Sequence, residues 1–151
     1  MTADAERRLL QFFTALACLV PISAGTMGVL DSAAMLPGVE APLPINLDSH
    51  YRYLSGLLLG IGIGFALCIR DIEVRAPLYR FLGMIVVVGG LGRLLSFVEM
   101  GPPGFGHRFG LTMELVVVPL LMVWQARVAR RSDGRKEQAL PKRAVDSSKS
   151  L

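Results

Sequence analysis

The chain has 151 residues, of which 52% are hydrophobic and 19% charged, and its formal net charge is +4. Four stretches approach the roughly 20 apolar residues needed to cross a bilayer. They lack the polar stripe of a helix in a soluble bundle, so a soluble domain is excluded. The basic residues flank these stretches instead of forming one folded face, which excludes a nucleic-acid-binding protein.

The first predicted span covers residues 9–30 and follows the basic pair Arg7 and Arg8. A basic pair before an apolar stretch is also typical of a secretory signal peptide, and the sequence SAG at 23–25 resembles a cleavage site. We expect the span to be retained, because the apolar sequence continues to Leu30. Cys18 in this span and Cys68 in the second are interpreted as small packing residues.

The loop that follows, residues 31–49, contains three acidic residues and no Lys or Arg. Pro37, Pro42 and Pro44 exclude a long helix there. Such a loop is either functional or an external cap over the helices, and we expect the cap.

The second predicted span, residues 53–69, carries Gly56, Gly60 and Gly64 at four-residue spacing. This spacing predicts one flat helix face, and small residues let membrane helices approach closely. Two interpretations remain open. The face packs inside the bundle, or it forms an interface with a second copy or another membrane protein.

The third and fourth predicted spans, residues 78–98 and 109–126, are interrupted by Arg93 and Glu114. An ionisable side chain costs roughly 2.5–3.5 kcal/mol at a helix centre in lipid, so such residues usually find a partner. The helical rise puts Arg93 ~7 Å and Glu114 ~9 Å below the same end of two antiparallel helices. An ion pair between them is therefore expected. Pro119 should kink or locally loosen the fourth helix.

Further polar residues gather at this level, and the opposite end has no comparable cluster within the predicted spans. They are His50, Tyr51, Arg52, Tyr53, Ser96, Glu99, His107 and Arg108.

Three hypotheses compete for this cluster, and the preferred one is a structural Arg93–Glu114 bridge with the other groups anchored at the headgroups. The second is an outward-facing pocket for a lipid headgroup, quinone or small anion, lined by Arg52, Arg93 and His50. The third is a catalytic or metal site formed by the histidines with Glu99 and Glu114. No spaced ligand motif supports this third hypothesis, and no catalytic residue, metal or cofactor is predicted.

The basic residues also predict the orientation. Of the 16 Lys and Arg residues, all but Arg52, Arg93 and Arg108 lie beside the termini or the loop between spans two and three. Positively charged loops stay in the cytoplasm, so both termini are predicted to be cytoplasmic. Residues 127–151 form a basic tail whose composition is typical of a disordered segment, and a continuation of span four into it for a turn or two stays open.

Three segments carry a resemblance to a known family. They are SHYRYLSGLLLGIGIGF (Ser49 to Phe65), GGLGRLLS (Gly89 to Ser96) and ELVVVPLLMVWQARVAR (Glu114 to Arg130). They resemble a bacterial family of small four-span proteins, domain of unknown function 4345. The resemblance implies a four-helix membrane fold in the bacterial inner membrane and implies no activity.

The sequence thus predicts an all-α, integral membrane four-helix bundle in the bacterial inner membrane, with both termini cytoplasmic. The preferred function is a non-enzymatic structural or accessory subunit that associates with itself or with a larger membrane complex. The alternative is a small-molecule or lipid binding or transport protein with an outward-facing polar pocket, and a membrane enzyme ranks third.

Overall fold

The computed structural model describes residues 2–36, 38–40 and 42–139, and within them it is all-helical, without strands. Helix α1 is Ala3–Asp31, followed by a 3₁₀ turn, Ser32–Met35. Helix α2 is Ile45–Ile69 and helix α3 is Ala76–Met100. A fourth rod consists of α4 (Phe105–Thr112), a π-helical turn (Met113–Val117) and α5 (Val118–Ala139). The predicted all-α class is confirmed, and all four rods are long and apolar enough to cross a membrane.

The rods are antiparallel, which gives the bundle two ends. The end with the described termini and the α2–α3 turn is called the terminal end. The end with the segment 36–44 and the turn 101–104 is called the loop end. Gly101 ends α3 with φ 91°, a conformation open to glycine and strained for other residues.

Helices α1 and α2 form the closest contact in the fold, and glycines make it possible. A Cβ atom on Gly25 would lie 2.6 Å from the Leu59 backbone nitrogen, and one on Gly28 would overlap the Ser55 side chain. A Cβ on Gly62 would lie 2.8 Å from Ile22. Close backbone approach of this kind is how membrane helices associate without a hydrophobic driving force.

The buried core is small and is concentrated toward the terminal end. It is formed by Leu10, Cys18, Phe65, Cys68, Ile72, Tyr79, Leu121 and Val128. Many large apolar side chains instead face outward, such as Val88 and Val98, which are 67% and 73% exposed. An apolar exterior of this extent suits a chain surrounded by lipid.

The fourth rod is longer than predicted. Helix α5 continues to Ala139, beyond the one or two turns past Ala126 that the sequence left open. The extra turns bury Val128 and Ala129, which explains why the helix continues. The rest of the predicted tail, residues 140–151, lies outside the described residues, as does Pro37 of the first loop.

Candidate functional site

Arg93 of α3 and Glu114 of the π-helical turn form a two-point ion pair. Arg93 Nε donates to Glu114 Oε2 and Arg93 Nη2 donates to Glu114 Oε1, both at 2.9 Å. The Arg93 side chain is 35% exposed and the Glu114 side chain 16%. Two parallel charge-assisted hydrogen bonds add geometric specificity to the electrostatic attraction. The pair therefore fastens α3 to the fourth rod in one register.

Gly90 makes room for this ion pair, and Gly110 lies beside it. A Cβ on Gly90 would lie 2.8 Å from Glu114 Cβ, so only glycine lets the carboxylate side chain pass α3 at this distance. A Cβ on Gly110 would lie 3.8 Å from Arg93 Cζ, an ordinary contact distance. Gly90 is therefore the tight position and Gly110 the tolerant one.

Glu114 lies on an irregular turn of the fourth rod. The Val118 N–H bonds to the Met113 carbonyl, five residues back, which defines a π-helical turn. Pro119 follows directly and has no N–H to continue the regular α-helical ladder. The predicted local loosening around Pro119 is confirmed. Single π turns often occur at functional sites, and this one presents Glu114 to Arg93.

Arg52 was considered as a headgroup anchor or a pocket residue, and in the structure it contacts other residues of the chain. Its Nε donates to Asp48 Oδ2 at 3.0 Å, and its Nη1 donates to the carbonyls of Val29 and, at 3.3 Å, Leu30. These carbonyls belong to the last turn of α1, where a cation is favourable. Arg52 therefore caps α1 and ties it to α2.

The remaining residues of the predicted polar pocket are all on the surface. His50, Tyr53, Glu99 and His107 are exposed. Among the described residues, no hydrogen bond or ion pair connects them to Arg93 or Glu114. No three His, Cys, Asp or Glu side chains of the described part are grouped to hold a metal ion. The structure thus brings together Arg93 and Glu114 but not the wider cluster.

The three predicted interface glycines lie on two different surfaces. A Cβ on Gly64 would lie 2.9 Å from Leu82 of α3, so Gly64 packs inside the bundle. A Cβ on Gly56 would meet only Val29, at 3.9 Å, and one on Gly60 would meet nothing within 4 Å. Packing within the bundle therefore applies to Gly64, while Gly56 and Gly60 border open space.

The terminal end carries a polar network of its own, just outside the predicted spans. Glu6 of α1 is 3% exposed and forms ion pairs with two arginines of α5. Arg127 Nε lies 3.1 Å from Glu6 Oε1, and Arg131 Nη1 donates to Glu6 Oε2. This cluster closes the bundle by joining its first and last helices. Glu6 and Arg127 lie just beyond the ends of the first and fourth predicted spans, at the same end of the bundle.

A second set of polar contacts lies slightly deeper at this end. Gln125, which is fully buried, accepts from Arg80 Nε at 3.2 Å and donates to the Ile72 carbonyl at 2.8 Å. The hydroxyl groups of Thr14 and Tyr79 lie 3.1 Å apart. These contacts pair polar groups that would otherwise be costly among apolar side chains.

Comparison with known proteins identifies the family. The model of the family described as "Domain of unknown function (DUF4345)" matches residues 9–125, so the chain belongs to this family, as the sequence resemblance indicated. No curated protein and no solved structure matches the chain.

Proposed function

We propose that this member of the DUF4345 family is a non-enzymatic multi-pass protein of the bacterial inner membrane, with both termini in the cytoplasm. Its function is to associate, through the exposed face of α2, with a second copy of itself or with another membrane protein.

The proposed orientation is supported by the charges at the two ends of the bundle. Arg7 and Arg8 lie in the second turn of α1, Arg70 and Arg75 flank the α2–α3 turn, and further basic residues follow along α5. The loop end has far fewer, and one of them, Arg52, is engaged with the end of α1. An excess of basic residues at one end favours retention of that end in the cytoplasm.

The observation that carries the association is the uncovered face of α2. Tyr53, Gly56, Leu57 and Gly60 are exposed and follow the pattern i, i+3, i+4, i+7, so they share one side of the helix. The chain's own helices leave the space beside Gly60 empty to at least 4 Å. Exposed glycines let a second helix approach the backbone closely, which strengthens van der Waals contact in lipid.

The Arg93–Glu114 pair supports a structural role more than a ligand site. Both carboxylate oxygens of Glu114 accept from one guanidinium, and the pair joins two elements of the same chain. Each charge therefore already has its partner, which is what a helix-fixing bridge requires.

The test compares Gly60→Leu with Gly92→Leu as a matched control. Among the described residues a Cβ at either position meets nothing within 4 Å, so a new side chain starts in open space at both. The measurement is the size and composition of the protein extracted in mild detergent, by native mass spectrometry. We expect wild type and Gly92→Leu to retain the associated chain and Gly60→Leu to lose it. Identical assemblies in all three would refute the proposal.

A further inference from the structure

An apolar groove separates α1 from the fourth rod. On the fourth rod its wall is the stripe Phe109, Met113, Val117 and Leu121, one residue from each successive turn. Its volume is about 490 Å³, within the about 300–1,000 Å³ typical of sites for small organic ligands. The stripe is continuous across the π-helical turn, so the groove extends over both α4 and the start of α5.

The groove is closed at the terminal end and reaches the surface along its length. On α1 it is lined by residues that include Phe13, Leu16 and Val20. The ring centroids of Phe13 and Trp124 lie 5.9 Å apart, which joins α1 to α5 below the groove. Leu16 is 52% exposed, so the groove opens sideways between the two rods.

The length of the groove distinguishes between possible occupants. Phe109 and Leu121 are three steps of four residues apart, a rise of ~18 Å along the rod. The hydrocarbon region of a bilayer is about 30 Å thick, so one leaflet contributes ~15 Å. A partner helix that spans the bilayer would need a face of about 30 Å and would collide with the Phe13–Trp124 contact. A single hydrocarbon chain matches the length.

We propose that this groove binds one hydrocarbon chain of an anionic phospholipid from the leaflet at the loop end. Arg108 precedes Phe109 at that end of the groove, and its side chain is exposed. No hydrogen bond or ion pair with another described residue engages its guanidinium. A free cation at interfacial depth is complementary to a lipid phosphate. The site is separate from the α2 face of the proposed association.

The test uses a phosphatidylglycerol probe with a photoactivatable diazirine on one chain, at trace level in phosphatidylcholine vesicles that contain the full-length protein. Labelled peptides are located by mass spectrometry. We expect labelling to concentrate at Leu16 and Met113, well above Val88, which is exposed on α3 outside the groove. Ala17→Trp should fill the groove and remove this labelling. Arg108→Gln should lower it about fivefold, equivalent to about 1 kcal/mol.

Three outcomes would overturn the proposal. The first is equal labelling of the groove and of Val88, as expected for lipids that merely surround the protein. The second is full groove labelling in both Ala17→Trp and Val20→Trp, where the second variant covers a failure of the first to fold. The third is a chain-to-chain cross-link from Leu16→Cys, which would show that a second copy occupies the groove. Unchanged labelling in Arg108→Gln would overturn the assignment of the phosphate to Arg108.

Discussion

Removing either partner of the Arg93–Glu114 pair should destabilise the fold, and removing both together should harm it less than the sum. The variants are Arg93→Leu, Glu114→Leu and the double change. Each single variant leaves one charge among apolar helices, whereas the double variant leaves none. The ion pair therefore predicts strong coupling between the two positions.

The expected magnitudes follow from the exposure of the two side chains. Loss of one partner of a fully buried pair costs about 3–5 kcal/mol, and partial exposure lowers that figure. Glu114 is 16% exposed, so stranding it by Arg93→Leu should cost about 2.5 kcal/mol. Arg93 is 35% exposed and long enough to reach the headgroups, so Glu114→Leu should cost about 2 kcal/mol. We expect the double change to cost about 1.5 kcal/mol, a coupling of about 3 kcal/mol.

Unfolding in mixed detergent micelles can measure these differences through the fluorescence of Trp124. It is the single tryptophan of the chain, and it contacts Phe13 of α1, so its emission reports separation of α1 from α5. Arg93→Lys serves as a control that keeps the charge but loses the two-point geometry, and it should fall between wild type and Arg93→Leu. A double variant whose loss equals the sum of the singles would refute the pairing.

Three further predictions concern other parts of the fold. Gly90→Ala should lower the free energy of unfolding by about 1–3 kcal/mol, because its Cβ would lie 2.8 Å from the Cβ of Glu114. In the same unfolding titration, Gly110→Ala should stay within about 0.5 kcal/mol of wild type. Glu6→Gln removes the carboxylate from two arginines that are already 62% and 48% exposed, so it should lower that free energy by about 1 kcal/mol and speed hydrogen exchange at the start of α1. In intact cells a membrane-impermeant maleimide should label Gly104→Cys at once, and it should label Asp133→Cys only after permeabilisation. The reverse order would overturn the proposed orientation.

The Arg93–Glu114 contact was accessible to sequence reasoning because consecutive antiparallel helices joined by a short turn share a depth scale. Counting residues from the turn then shows that Arg93 and Glu114 lie at a similar depth in the membrane. The ion pairs of Glu6 were not predicted in this way. Its arginine partners lie beyond the apolar spans, where basic residues are interpreted as signals of membrane orientation. Its contacts also join the first and last helices, which no local pattern predicts.

The rotation of α2 about its axis could not be predicted. Spacing puts Gly56, Gly60 and Gly64 on one broad face, but a helix that is apolar all round has no polar stripe to show which side is covered. In the structure the contact with α1 falls on Gly62, which lies between them in sequence. The surrounding helices therefore decide which glycines stay open. The contacts of Arg52 could not be predicted for a similar reason. Its acceptors are carbonyls at the end of α1, and only the packing of α1 against α2 brings them within reach.

Cross-linking along α2 in native membranes tests the central claim, association through its exposed face. Leu57→Cys lies on that face, Val88→Cys is an exposed control on α3, and the native Cys18 and Cys68 are buried. With a short cross-linker that joins the introduced thiol to any neighbouring side chain, Leu57→Cys should yield a species containing a second chain, and Val88→Cys should stay a monomer. An uncross-linked Leu57→Cys, or equal cross-linking at both positions, would contradict the account.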